Sequence, residues 1–286
     1  MQKDIVFKSS SEIADLIKNK NISCVEVMKK YIERIKKINP KINALVQYNF
    51  KQSLEKAEKA DQELAKDNLL GPLHGVPISV KDAIQTKDFI TTSGMQELSN
   101  FTPEMDATVV KRLKNAGAIL LGKTNLSTLC KIPESKNEVY GQTNNPYNLD
   151  MSPGGSSGGE AALIAAGGSA LGIGSDAGGS LRIPAHYCGV AALKPTRGRI
   201  PATGHVPPNV GVGIGVFSEI GPIARYVKDL NIAIKIISGS DYMDNTVPPV
   251  PLKELEEVQI SNLKIAYYTD NKQYPSTDET QNIIKE

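Results

Sequence analysis

A stretch dense in glycine, serine and proline lies between Gly141 and Gly221 and leaves few kinds of fold open to this chain. Apolar and charged residues interrupt it at irregular spacing, so it differs from a low-complexity linker. Glycine lets backbone segments approach one another closely, and loops held in this way on a packed scaffold commonly carry binding residues. The sequence therefore predicts that this stretch is folded and contains the functional site.

Short apolar runs bounded by glycine and proline occur at residues 76–80, 118–121 and 170–173, as expected of buried strands. Helical patterns alternate with them, and the helix expected over residues 106–116 leads through Gly117 directly into the second run. This helix-to-strand order is typical of α/β folds. We therefore predict an α/β fold with a mixed, mostly buried β-sheet flanked by helices on both faces.

The 286 residues, 40% of them apolar, suffice for one large domain, which we predict over residues 1–286. Its first part, residues 1–70, is predicted to be helical, and residues 71–286 form the core. Beyond Gly221 the pattern predicts a helix at 227–237, a strand at 263–268 and a helix from Ser276. That last helix has barely two turns before Glu286, so we expect the C-terminal part of the fold to be missing.

Charge and cysteine content exclude several classes of function. Lysine and arginine number 33 against 31 acidic residues, without long runs of one sign, so neither a nucleic-acid nor a membrane partner is expected. Cys24, Cys130 and Cys188 lack CxxC spacing, which indicates neither a disulfide framework nor a metal site. Charged residues interrupt the N-terminus, and no apolar stretch approaches the length of a membrane span. We therefore predict a cytoplasmic protein without a membrane anchor.

Three segments carry residues suited to chemistry, namely GVPISVKD at 75–82, SPGGSSGGE at 152–160 and GSDAGGSLRIP at 174–184. None of them contains the GxxxxGK[ST] pattern of a P-loop. The GxGxxA pattern from Gly172 lacks the acidic residue that a dinucleotide site needs about twenty positions later. The GxSxG pattern around Ser156 is followed by Asp176 and His186, yet residues 144–153 before it read as a loop and not as the strand of a nucleophile elbow. His74, His186 and His205 then read as local hydrogen-bonding residues.

Together these segments resemble the amidase signature family, in which a Ser-Ser-Lys triad replaces Ser-His-Asp. The resemblance extends from about Lys8 to the end of the chain and includes residues 71–77, 122–125 and 188–195. Lys81 precedes Ser156 by 75 residues, and Ser156 precedes Ser180 by 24, as in the fatty-acid amide hydrolase branch. The resemblance makes Ser180 the nucleophile, Ser156 the proton relay and Lys81 the base, with a cis peptide between Gly155 and Ser156.

The resemblance implies hydrolysis of a carboxylic amide through an acyl-enzyme, with a small-molecule amide as substrate and without a metal or organic cofactor. The oxyanion and substrate-binding groups would be Ala177, Gly178, Gly179 and Ser180, and the supporting residues Gly155, Ser157, Asp176 and Arg182. Lys81 must rest neutral to accept a proton, so we expect it to be buried behind residues 76–80, with the side chain of Asp82 facing away. A homodimer is compatible with this interpretation.

Two alternatives stay open at this point. The chain also resembles the glutaminase (A) subunit of a glutamyl-tRNA amidotransferase, although residues 209–221 depart from what that subunit predicts. The other alternative is an inactive, truncated relative that keeps the motifs but lacks the rest of the pocket. The sequence alone does not choose the amide that is cleaved.

Overall fold

A computed structural model describes residues 4–208, 216–253 and 258–286. Most of the segment at 209–221 that departs from the glutaminase pattern, residues 209–215, lies outside the described residues. The chain divides into two compact units, Met1–Val250 and Pro251–Glu286. The sheet and the three motif segments all belong to the first unit.

Eight α-helices lie in the described part of the chain. They are α1 Ser10–Lys18, α2 Cys24–Ile42, α3 Phe50–Ala65, α4 Thr108–Asn115, α5 Gly158–Ala165, α6 Arg182–Cys188, α7 Val227–Ile237 and α8 Asp278–Lys285. The predicted capping boxes are confirmed, because Ser9 and Ser23 each accept a hydrogen bond from the backbone three residues later and bind the glutamate there. These local hydrogen bonds explain why α1 and α2 begin where the sequence predicts.

Eight β-strands occur in the same ranges. They are β1 Leu45–Tyr48, β2 Pro77–Lys81, β3 Ile119–Thr124, β4 Lys136–Asn137, β5 Gly141–Gln142, β6 Leu171–Asp176, β7 Ala191–Ala192 and β8 Glu219–Ala224. Strand β1 lies within the region at 1–70 that was predicted to be helical, so that prediction is incomplete. Four residues are too few to show an alternating pattern, and β1 is recognisable only through its pairing with β3.

The main sheet has the strand order β1-β3-β2-β6-β8-β7. The central strand β2 pairs in parallel with both β3 and β6, whereas the pairs nearer the edges are antiparallel. Strands β2, β3, β6 and β8 are buried along their whole length, and helices pack on both faces, as predicted. Parallel strands end at one edge of a sheet, so Lys81, Thr124 and Asp176 lie at the same edge, where ligands bind in open α/β folds.

Residues 117–124, with the sequence GAILLGKT, match the P-loop spacing outside the three motif segments. The structure places Ile119–Thr124 in the buried strand β3, and the Nζ atom of Lys123 donates to the backbone oxygen of Ile84 at 2.7 Å. A phosphate-binding loop needs exposed backbone N–H groups before a helix, and here those groups belong to a sheet. The pattern is therefore structural in this chain.

In the second unit, α8 begins at Asp278 and is capped by Thr277, two residues later than predicted. The strand predicted at 263–268 is wrong, since these residues join no sheet in the part of the unit that is described, at 251–253 and 258–286. An apolar run forms a strand only where a partner strand satisfies its backbone groups. No helix of the described residues is both long and apolar enough to cross a bilayer.

Candidate active site

Lys81 is the last residue of β2, and its side chain is completely buried. Its Nζ atom lies 2.7 Å from Ser156 Oγ, 3.0 Å from Ser157 Oγ and 3.1 Å from Ser175 Oγ. Among the salt bridges of the described residues, none involves Lys81. Burial lowers the pKa of Lys81, because removal from water disfavours the ammonium form. The amine therefore meets hydroxyl groups in place of a carboxylate.

The neighbouring carboxylate of Asp82 faces away from Lys81, as predicted. It accepts hydrogen bonds from the N–H of Thr92 at 3.0 Å and from its hydroxyl at 2.6 Å. The second buried lysine, Lys123, lies 3.4 Å from the other oxygen of Asp82. Asp82 thus pairs with Lys123, and this arrangement keeps its negative charge from stabilising the ammonium form of Lys81.

Ser156 lies in the loop that precedes α5, and the peptide bond between Gly155 and Ser156 is cis, which confirms the expectation from the resemblance. Ser135 holds this loop, because its hydroxyl donates to the oxygen of Gly154 at 3.1 Å and accepts from the N–H of Gly158 at 2.8 Å. A Cβ atom at Gly155 would overlap the backbone of the adjacent segment. Only glycine permits this close approach.

Ser157 connects three parts of the site. Its hydroxyl donates to the backbone oxygen of Ser175 at 3.2 Å and lies 3.0 Å from the amine of Lys81. Its N–H donates to the backbone oxygen of Ser180 at 3.2 Å. Ser157 therefore links the loop of Ser156, the end of β6 and the turn that carries Ser180.

Asp176, the last residue of β6, holds the turn at 177–180. Its carboxylate accepts from the N–H groups of Gly179 at 2.7 Å and Leu181 at 3.0 Å, and from two guanidinium nitrogens of Arg182, each at 3.0 Å. Burial acts to raise the pKa of Asp176, but the hydrogen bonds from Arg182 and from the backbone lower it overall. Asp176 and Arg182 are placed to support the turn. The N–H of Gly179 is already used, which differs from its predicted place among the oxyanion donors.

Ser180 lines a cavity of about 480 Å³ together with Gly155, Ser156, Ala177 and Gly178. Most of the remaining wall is apolar and consists of Leu129, Ile132, Pro133, Ile183, Pro207 and Pro208. This volume is that of a small-ligand site with a few polar groups at one end. Within residues 4–208, 216–253 and 258–286, no three His, Cys, Asp or Glu side chains are grouped so as to hold a metal ion.

Two residues of the cavity wall, His205 and Cys130, were not identified from the sequence. His205 is buried, and its Nε2 atom lies 2.9 Å from Ser175 Oγ, so its partners are not merely local. Cys130 is half-buried; burial acts to raise its pKa, but the charge of Lys81 and the hydrogen bond of His205 lower it to about 6. Neither residue stands in a recognisable motif, because long-range folding alone brings each of them to Lys81.

The structure does not assemble the Ser-His-Asp alternative. His186 lies exposed on α6, beside a different surface depression that Arg182 and Tyr187 also line. Both oxygens of Asp176 are occupied by Arg182 and by backbone N–H groups. His74 binds the N–H of Leu70 and the oxygen of Ala60, in agreement with a local role.

Comparison with known proteins places this site among amide-cleaving enzymes. The profile of the family described as Amidase matches residues 26–286. The glutamyl-tRNA(Gln) amidotransferase (A) subunit of Sulfurihydrogenibium sp. (strain YO3AOP1) is 41% identical over 271 residues, which are 92% of this chain and 55% of the relative. Human fatty-acid amide hydrolase 2 is 41% identical over 242 residues, covering 82% of this chain and 45% of the relative.

Solved structures agree with the sequence matches. A fatty acid amide hydrolase superimposes with a TM-score of 0.80 at 34% identity, covering 88% of this chain and 45% of the other. A bacterial aryl acylamidase of the amidase signature family gives a TM-score of 0.80 at 32% identity, covering 86% of this chain and 50% of the other. The chain thus spans about half the length of the relatives it matches.

Proposed function

The chain belongs to the amidase signature family, and from that premise we propose that it hydrolyses a carboxylic amide through an acyl-enzyme on Ser180, with Ser156 as relay and Lys81 as base. The observation that carries this proposal is the buried amine of Lys81, 2.7 Å from the hydroxyl of Ser156. Buried amines with a depressed pKa serve as general bases at neutral pH.

The proposed proton path runs from Ser180 through Ser156 to Lys81. As the oxygen of Ser180 bonds to the amide carbon, its proton passes to Ser156, and the proton of Ser156 passes to the amine of Lys81. When the carbon–nitrogen bond breaks, the protons return along the same path, and the leaving amine takes one. Water then attacks the ester with the same relay, which releases the acid and restores Ser180.

The neutral state of Lys81 follows from its surroundings. A hydroxyl group accepts a hydrogen bond from an ammonium or donates one to a neutral amine, so three hydroxyl neighbours tolerate both forms. A carboxylate neighbour would favour the ammonium, and Asp82 is turned towards Lys123 instead. Burial therefore favours the form that accepts a proton.

For the oxyanion we propose the N–H groups of Ala177, Gly178 and Ser180, while Gly179 serves the turn through Asp176. Removal of one such donor raises an acyl-transfer barrier by about 3 kcal/mol in enzymes where this has been measured. Gly155, Ser157, Asp176 and Arg182 then act as the supports that hold the loop and the turn.

A second candidate function is glutamine hydrolysis within a transfer-RNA amidotransferase, which the 41% identity to the amidotransferase relative favours. The apolar cavity wall fits an uncharged acyl group better than the charged ends of glutamine. Glutaminase activity that exceeds anilide cleavage, with the other subunits bound, would support this candidate. A small-molecule amide substrate, a homodimer and a cytoplasmic location without nucleic-acid or membrane partners stay predictions.

The decisive experiment is labelling with a fluorophosphonate probe, followed by mass spectrometry of the labelled peptide. We expect labelling at Ser180 in the wild type and its loss in Ser180→Ala. Ser99→Ala, outside the cavity wall, is the matched control and should label at the wild-type rate. Labelling at Ser156 in place of Ser180 would contradict the proposal, and an unlabelled wild type would support the alternative of an inactive relative.

A further inference from the structure

The hydrogen bonds of His205 determine which of its ring nitrogens carries the proton. Nδ1 lies 2.8 Å from the backbone oxygen of Pro207. A carbonyl oxygen only accepts hydrogen bonds, so Nδ1 must donate and therefore carries hydrogen. In the neutral imidazole Nε2 is then an acceptor, and it lies 2.9 Å from Ser175 Oγ. The hydroxyl hydrogen of Ser175 is thereby directed towards His205.

This direction of the Ser175 hydroxyl determines the bonding of Lys81. With its hydrogen donated to His205, Ser175 presents lone pairs to the amine at 3.1 Å and accepts one N–H. Ser157 donates its own hydrogen to the backbone at 3.2 Å, so it accepts the second N–H at 3.0 Å. A neutral amine has two N–H groups and one lone pair. The lone pair is left for Ser156 at 2.7 Å.

We propose that His205 is a positioning residue for the base, acting through Ser175 to aim the lone pair of Lys81 at Ser156. This inference rests on the proposed function, because it assumes that Lys81 is the base. Without an acceptor at His205, the hydrogen of Ser175 turns towards the amine and competes with Ser156 for the lone pair. The loss is one of orientation, and the chemical groups of the triad stay in place.

The backbone around His205 is held against the segment that directly follows Lys81. The N–H of Gln85 donates to the oxygen of Gly204 at 2.8 Å, and the N–H of Val206 donates to the oxygen of Ala83 at 2.7 Å. Gly204 has a φ of +86°, and a Cβ atom there would lie 2.6 Å from Ala107. The imidazole is therefore presented to Ser175 by a paired backbone and not by a free loop.

Asparagine and glutamine at position 205 form a matched pair for the test. The amide nitrogen of asparagine replaces Nδ1 and keeps the hydrogen bond to Pro207, but the side chain is too short to reach Ser175. Glutamine reaches Ser175 with an oxygen that accepts. We expect fluorophosphonate labelling of Ser180 to be about tenfold slower in His205→Asn, as for one lost network hydrogen bond, and within about threefold of wild type in His205→Gln.

A double-mutant cycle with Ser175→Ala separates positioning from folding. Ser175→Ala alone should slow labelling by about tenfold, and adding His205→Asn should slow it no further, because the link is already broken. His186→Asn, on an exposed helix position, is the control and should label at the wild-type rate. Thermal unfolding of each variant checks that it is folded.

The two possible failures are distinguishable. Equal rates for His205→Asn and His205→Gln, or additive losses in the cycle, would overturn the role of His205 while Ser180→Ala still abolished labelling. If Ser180→Ala labelled like the wild type, the proposed function itself would fail, and the inference with it. If asparagine disturbs the fold, the comparison of Ser175→Ala with Ser175→Ala/His205→Gln remains, and a further loss in the double variant would overturn the inference.

Discussion

Replacement of Lys81 by methionine or arginine tests the central physical claim of the mechanism. Methionine keeps a side chain of similar length and removes the nitrogen, whereas arginine keeps a charge that cannot be removed in a protein. The site is fully buried, and the amine has three hydroxyl neighbours. Neither variant has a group that can take the proton of Ser156.

General-base catalysis contributes about 10²- to 10⁴-fold in rate, which corresponds to about 3–5 kcal/mol of barrier. We expect Lys81→Met and Lys81→Arg both to lose at least this much in the labelling rate of Ser180. In the wild type this rate should rise with pH through one ionisation below the ordinary lysine value of about 10.4, and that ionisation should be absent in Lys81→Met.

Stability should change in the opposite direction. Because burial lowers the pKa of Lys81, the unfolded state binds more protons between that lowered value and about 10.4. The free energy of unfolding of the wild type therefore rises with pH across this window. Methionine removes the slope, so Lys81→Met should be at least as stable as the wild type at pH 7 although it is inactive.

The assay combines labelling kinetics, single-turnover cleavage of a small anilide and urea unfolding at several pH values. A structural lysine would behave differently, since arginine would replace it with a modest loss of rate. If Lys81→Arg retained most of the wild-type acylation rate, the Ser-Ser-Lys mechanism would be wrong for this protein.

Three further predictions use other residues of the first unit. His186→Ala should leave turnover measurable, and a loss as large as that of Ser180→Ala in a folded protein would count against Lys81 as the base. Burial raises the pKa of Glu160 to about 7, so the wild type should lose about 3 kcal/mol of unfolding free energy as pH rises from 4.5 to 7. Glu160→Gln should flatten this slope in urea titrations, and an unchanged slope would refute the assignment. Iodoacetamide should alkylate Cys130 faster than Cys24 and Cys188, whose pKa values burial raises, and equal rates measured by peptide mass spectrometry would disprove this.

Much of the chain could be predicted from the sequence where the signal is local. The starts of α1 and α2 follow from Ser9 and Ser23, because a capping box closes within three residues. The buried strands β2, β3 and β6 follow from apolar runs between glycines and prolines. Lys81, Ser156 and Ser180 were identified through the family's motifs, which keep residue types at constant separations.

Only the tertiary structure decided the features that depend on distant parts of the chain. Strand β1 is defined by its partner β3, and residues 263–268, with a similar apolar run, form no strand within the described residues because no partner strand pairs with them there. His205 meets Ser175 across 30 positions, and Lys123 meets Asp82 from another strand. Such pairs have no periodicity and no local hydrogen bond to announce them. They form because the backbone path is set by burial of the whole sheet, and burial depends on all the strands at once.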